Sequence, residues 1–109
     1  MYGFTSQSGD SYSAKNYDHV IGMSSDTART VTIPEKLPAG THYVIIDTFL
    51  GPANPGHTIT VEVKDSLGLI NGAANAVITP GTNKALEVVS DGTNYWIISS
   101  KKHGSVIRQ

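Results

Sequence analysis

No window of this chain can hold a long amphipathic helix, because glycine, proline or threonine interrupts every candidate stretch. What remains is a series of short runs with a period of two. TITVEVK (58–64) is the clearest, with Ile59, Val61 and Val63 on one side and Thr58, Thr60, Glu62 and Lys64 on the other. One side of that strand should be wet. ARTVTI (28–33) alternates Val31 and Ile33 with Thr30 and Thr32, and ends at Pro34, which cannot donate to a ladder. YVIIDTF (43–49) sets Tyr43, Ile45, Asp47 and Phe49 against Val44, Ile46 and Thr48. Both of its faces are mostly apolar, so it should lie centrally. Two further candidates, 67–70 and 75–79, flank Asn71-Gly72, a pair suited to positive φ in a tight turn. PEKLPAGTH (34–42) and GPANPGH (51–57) read as loops.

The strongest hairpin signal is KALEVVS (84–90) and TNYWIIS (93–99) around Asp91 and Gly92. A two-residue loop predicts Ser90 opposite Thr93, Val88 opposite Tyr95, Glu87 opposite Trp96 and Leu86 opposite Ile97. Leu86, Val88, Tyr95 and Ile97 then share one side. The other side holds Ala85, Val89, Trp96 and Ile98 around the lone charge of Glu87. Burying an aromatic and aliphatics on that second side is worth several kcal/mol at about 25 cal/mol per Å2, so Ala85, Val89, Trp96 and Ile98 are the candidate oligomer interface, although cover by the chain's own arm would satisfy the same arithmetic.

Seven to eight short strands at near-regular spacing predict an all-β fold, an antiparallel β-sandwich of jelly-roll type. The expected organisation is an extended N-terminal arm over 1–17, a sandwich domain over 18–100 and a basic C-terminal tail over 101–109. In the arm, Tyr2, Phe4, Tyr12 and Tyr17 are separated by small polar residues with neither strand nor helix period. A length of 109 residues suits a single domain.

Charged residues are 16% of the chain, against about 25% in an average soluble protein, and the net charge is −1. Nothing in that balance attracts nucleic acid or an anionic membrane. There is no cysteine, hence no disulfide, thiol catalysis or Cys-based zinc site. No apolar run approaches the ~18 residues of a membrane span, and the first residues lack the order of a signal peptide, so the chain is expected to be made in the cytoplasm and to need no such signal.

His19, His42, His57 and His103 never take an i, i+2 or i, i+4 spacing, so no metal or other cofactor is expected and the histidines read as loop residues. Serines are plentiful but lack a GxSxG elbow, and the glycine-rich segment lacks a phosphate-binding pattern. Asp91 and Gly92 are turn residues, and Asp26 and Asp65 read as surface or turn positions. Asp47 is the oddity, a carboxylate on an apolar strand that should accept backbone hydrogen bonds, meet an interface or, as third choice, act in catalysis. Lys101, Lys102 and Arg108 make a small basic end.

Taken in order, TVTIP (30–34), YVIID (43–47), ITV (59–61), INGAAN (70–75) and VVSDGTNYWII (88–98) resemble the small β modules repeated in tail-fibre, tail-spike and related virion proteins of tailed bacteriophages. The resemblance covers about 18–99. It implies a trimeric, non-enzymatic part of the virion with no catalytic residues in this segment. Taken as a free-standing chain with its own arm and tail, the protein looks more like a capsid decoration or cement protein than a module at the end of a fibre. Its partners would be further copies of itself and the major capsid protein or another virion protein, reached by Tyr2, Phe4, Tyr12, Tyr17, Lys101, Lys102 and Arg108 through several weak contacts. The runner-up is a tail-fibre, spike or baseplate module that attaches to host-surface glycans.

Overall fold

The computed structural model describes residues 3–16, 18–50, 58–78 and 84–99. The protein is all-β. Among the described residues there are nine strands, one more than the upper expectation, and a single 3-10 turn at Lys64–Ser66. The strands are β1 (Gly3–Gln7), β2 (Ser11–Ser13), β3 (Asp18–Met23), β4 (Arg29–Ile33), β5 (His42–Asp47), β6 (Ile59–Val63), β7 (Asn75–Ile78), β8 (Ala85–Ser90) and β9 (Tyr95–Ser99).

They form a five-stranded sheet in the order β1-β3-β5-β8-β9 and a four-stranded sheet in the order β2-β4-β6-β7. Up to β6 the chain alternates between sheets, so each strand stacks on the one two places earlier and runs parallel to it. A parallel neighbour needs a crossover, and here the crossover is a strand of the opposite sheet. β7 and β8 then run against β6 and β5, and β9 turns back against β8, giving antiparallel pairs β5-β8, β6-β7 and β8-β9.

Four of the seven pairings are therefore parallel, which corrects the expected antiparallel character and departs from a jelly roll, whose neighbours are antiparallel. Alternating apolarity identifies a half-buried strand but is blind to its direction. The residues expected to form an arm supply β1 and β2, which pair with β3 and β4.

Both sheets bury their inner faces in one cluster. Ile21, Met23, Tyr43, Ile45, Leu86, Val88 and Tyr95 come from the larger sheet, and Val31, Ile33, Ile59, Val61, Val63 and Ile78 from the smaller. Each fully buried aliphatic side chain contributes about 1.5–3 kcal/mol by leaving water. At one end of that core, Arg29 of β4 meets Asp47 of β5 in a buried bidentate pair, 2.9 Å from Nη1 to Oδ1 and 3.3 Å from Nη2 to Oδ2. Asp47 also accepts the Phe49 N–H at 3.1 Å, as the backbone-accepting alternative requires. The odd carboxylate of β5 thus ties the two sheets together.

Asp18 holds the first turn of the winding. It accepts Thr5 Oγ1 and Tyr12 Oη, each at 2.6 Å, and the Lys15 N–H at 2.8 Å. Burial opposes its charge, but these donors and the nearby Lys15 ammonium outweigh that and hold the carboxyl below its ordinary pKa of 3.8.

The C-terminal hairpin differs in register from expectation. Ser90 lies opposite Tyr95, Val89 opposite Trp96 and Val88 opposite Ile97, with a bulge between Glu87 and Val88. Asp91 Oδ1 accepts both the Thr93 and Asn94 N–H at 2.8 Å, and the Asp91 N–H donates to Asn94 O, so the loop spans 91–94 rather than two residues. Gly92 occupies φ +100, open to glycine at no steric cost. A slip of two leaves every side chain on its expected face, because the strand period is two.

The candidate strand at 67–70 is not one. Ile70 makes only isolated bridges, to Ala73 across the Asn71-Gly72 turn and to Tyr95. That short piece closes the outer edge of β9: Tyr95 N–H donates to Leu69 O, Asn71 N–H to Tyr95 O, and Ile97 N–H to Asn71 Oδ1. An edge strand left bare would be open to unwanted pairing. The loop expected at 51–57 lies outside the described residues.

Candidate interaction surface

The inner residues of the five-stranded sheet point into the core, so their alternates form its outer face. Register places Phe4, Val20, Val44 and Glu87 in one row across β1, β3, β5 and β8. A second row holds Ser6, Gly22, Ile46 and Ala85, and a third His42, Val89 and Trp96. Phe4 is 62% exposed, Ile98 57% and Trp96 47%. Val20, Val44, Ile46, Ala85 and Val89 are half-buried. Five strands about 4.8 Å apart and about 17 Å long make a projected face of about 400 Å2.

Gly22 leaves room on this face for the side chains of Phe4 and Thr48. A Cβ there would come within 2.9 Å of Thr48 Cγ2 and 3.3 Å of Phe4 Cζ. The Trp96 ring is fixed by the turn that precedes it, since Nε1 donates to Asp91 Oδ2 at 2.7 Å. Asp91 therefore shapes the loop with one oxygen and orients the indole with the other. The Trp96 N–H, followed by the Asn94 and Thr93 N–H groups, holds the Asp91 carboxyl below its ordinary value. The indole has a satisfied polar end and an apolar face still partly open.

Charge on this face is confined to a small group. His42 Nε2 is 4.0 Å from Glu87 Oε2, and the His19 ring packs edge-on against His42 with centroids 4.7 Å apart. Both histidines stand on strands, which corrects their reading as loop residues. The bulge at the start of β3 turns Asp18 inward and leaves His19 outward; such a slip in register has no signature in a single strand's composition.

The outer face of the four-stranded sheet is made differently. Ser11, Thr30, Thr60 and Val77 form one row, and Ser13, Thr32, Glu62 and Asn75 the next. Val77 is its large exposed apolar residue, and hydroxyls dominate the rest.

Of the other residues singled out from sequence, Tyr12 does not reach outward; it packs against the core and donates to Asp18. Tyr2, Tyr17, Lys101, Lys102 and Arg108 lie outside the described residues, as do His57 and His103. Asp26 and Asp65 are exposed. Arg29 carries no signal in the sequence, and Asp18 stands there only as one of six aspartates that could pair as carboxylates, because each looks like an ordinary strand-edge charge until its partner on another strand is known. Among the described residues no group of three or more His, Cys, Asp or Glu could hold a metal ion, and no helix is long and apolar enough to cross a membrane. No family model matches the chain, and no curated protein matches it.

Proposed function

We propose that this chain is a non-enzymatic structural protein of a tailed-phage virion, a capsid decoration protein that assembles as a trimer on the capsid surface and stabilises it. The observation that carries the reading is the difference between the two outer faces. The chain solvates one with serine and threonine and leaves the other to Phe4, Ile98 and Trp96. Three copies arranged about an axis would turn three such faces toward each other and close a shared apolar core. A β-sandwich-like module of this kind, made in the host cytoplasm and placed on the particle, would work mechanically by bridging the major capsid protein or another virion protein. No nucleic acid, membrane or cofactor enters the reading.

A second reading, a tail-fibre, spike or baseplate module that attaches to a host surface, is favoured by the winding. β1 to β6 advance by stacking parallel strands, which suits a unit placed in series along a shaft.

Multi-angle light scattering and capsid challenge test the proposal together. The protein is expected to be trimeric and, when added to purified capsids, to raise the temperature or osmotic shock at which they release DNA. A monomer at all concentrations would overturn it. A trimer that ignores capsids and binds envelope glycans would select the second reading.

A further inference from the structure

Because β2, β4 and β6 run parallel, the segments that follow them emerge at the same end of the four-stranded sheet. Those segments line a cleft of about 530 Å3, within the ~300–1,000 Å3 range of small-molecule sites. Its apolar lining is Ala14, Ile33, Pro34 and Leu37. Three hydroxyls reach outward from the larger sheet and pin its rim: Tyr43 donates to Lys15 O at 2.9 Å, Tyr95 to Pro34 O at 2.8 Å and Ser90 to Leu37 O at 2.9 Å. Burial raises the pKa of both tyrosines, that of Tyr95 to about 12, so both keep the proton they donate. The walls are therefore set before any ligand arrives.

The charge in the cleft's own lining is positive, while Asp18 lies near Lys15 and Glu62 stands beside Thr32 in register. Lys15 and Lys64 are its charged lining residues, with no carboxylate among them, and neither lysine is in an ion pair among the described residues. Lys15 Nζ spends one proton on Ser13 O at 3.0 Å and sits 5.2 Å from the Tyr12 ring centre, which leaves two donors for a ligand. Ser13, Thr32 and Asn16 add hydroxyls and an amide.

We infer that this cleft binds an acidic saccharide. Pro34 and Leu37, the accessible part of the apolar floor, take the C–H face of a sugar ring, the hydroxyls and the Asn16 amide meet its hydroxyls, and the two ammonium groups meet its carboxylate. A simple inorganic anion would leave the floor unused, and a neutral sugar would leave the lysines unmet. The site lies on the sheet opposite the apolar face, so a trimer built on that face keeps three clefts open, and the inference stands or falls apart from the assembly.

The experiment is an NMR titration of the whole chain with trigalacturonic acid, with its neutral methyl ester, and with acetate, following the amides of Asn16, Thr32 and Leu37. The acid is expected to shift these signals to saturation, the ester to bind about tenfold or more weakly, and acetate to leave them in place. Lys64→Gln should weaken binding about two- to fivefold, and Lys15→Gln with Lys64→Gln further, with urea melts of both variants separating lost binding from any loss of the Lys15 support to Asp18. Equal binding of acid and ester, saturation by acetate at the same concentration, an unchanged double variant, or no shift with any probe would each overturn the inference. Light scattering of the same samples reads the assembly independently.

Discussion

The two outer faces of this molecule share a backbone geometry and differ in chemistry. On the smaller sheet, Ser11, Ser13, Thr30, Thr32 and Thr60 take most of the outward positions, each able to hydrogen-bond water, with Glu62, Asn75 and the exposed Val77 in the others. The equivalent positions on the larger sheet hold Phe4, Val20, Val44, Ile46, Val89 and Trp96. Both are strand positions of good β propensity, so local structure does not account for the choice. The chain can make a wet face and does so once. The other face is mostly apolar, and the carboxylate on it, Glu87, lies 4.0 Å from the His42 ring.

The most damaging way to disturb this arrangement is to part the sheets that carry the two faces. Asp47→Ala leaves the buried Arg29 guanidinium without its bidentate carboxylate and should cost about 3–5 kcal/mol in chemical denaturation. Replacing the pair together, Arg29→Met with Asp47→Leu, should recover most of that loss.

Next in size is the contrast itself. Trp96→Ser with Ile98→Ser should weaken association by about 2 kcal/mol or more, beyond the smaller loss of monomer stability expected from the half-buried side chains and the Trp96–Asp91 hydrogen bond. Thr30→Ala with Thr60→Ala on the opposite face should leave association as it was. If the second pair disrupts assembly and the first does not, the roles of the faces are reversed. Fluorescence of Trp96 gives the same answer without mutation, shifting to the red on dilution as the ring is uncovered.

A smaller effect concerns the first turn of the winding. Asp18→Ala removes the acceptor of three hydrogen bonds and should cost about 1–3 kcal/mol. The native Asp18 carboxyl is held below 3.8, so its contribution is complete above that pH and is lost as the pH falls through the lower folded value. Urea melts at pH 7 and pH 2.5 should show that loss in the native protein and a smaller one in the variant. Smallest of all, Thr60→Val should change stability by no more than about 0.5 kcal/mol, since it touches only the solvated face.

Much of this was written in the spacing of single strands. The alternation of Ile59, Val61 and Val63 placed β6 with one wet side, and the double apolarity of 43–49 placed β5 in the middle of its sheet. Trp96, Ile98, Ala85 and Val89 share an outer face as their parity required, even though the register slipped by two. Phe4 was singled out in an arm, yet the row that joins it to Val20 and Val44 exists only once β1 has docked. Its strand mixes serine, threonine and glutamine with one aromatic, a composition too weak to announce itself without a neighbour.

Pattern along the chain settled which residues face inward, because pleating forces alternation within each strand whatever lies beside it. Direction, neighbour order and the meeting of distant polar groups were settled only by the packed fold. Arg29 and Asp47 are 18 residues apart, and Tyr43 reaches Lys15 across 28, so each pairing depends on how the chain crosses between sheets. A hydrogen bond is short-ranged and directional, and no local spacing encodes which strand will arrive within its reach.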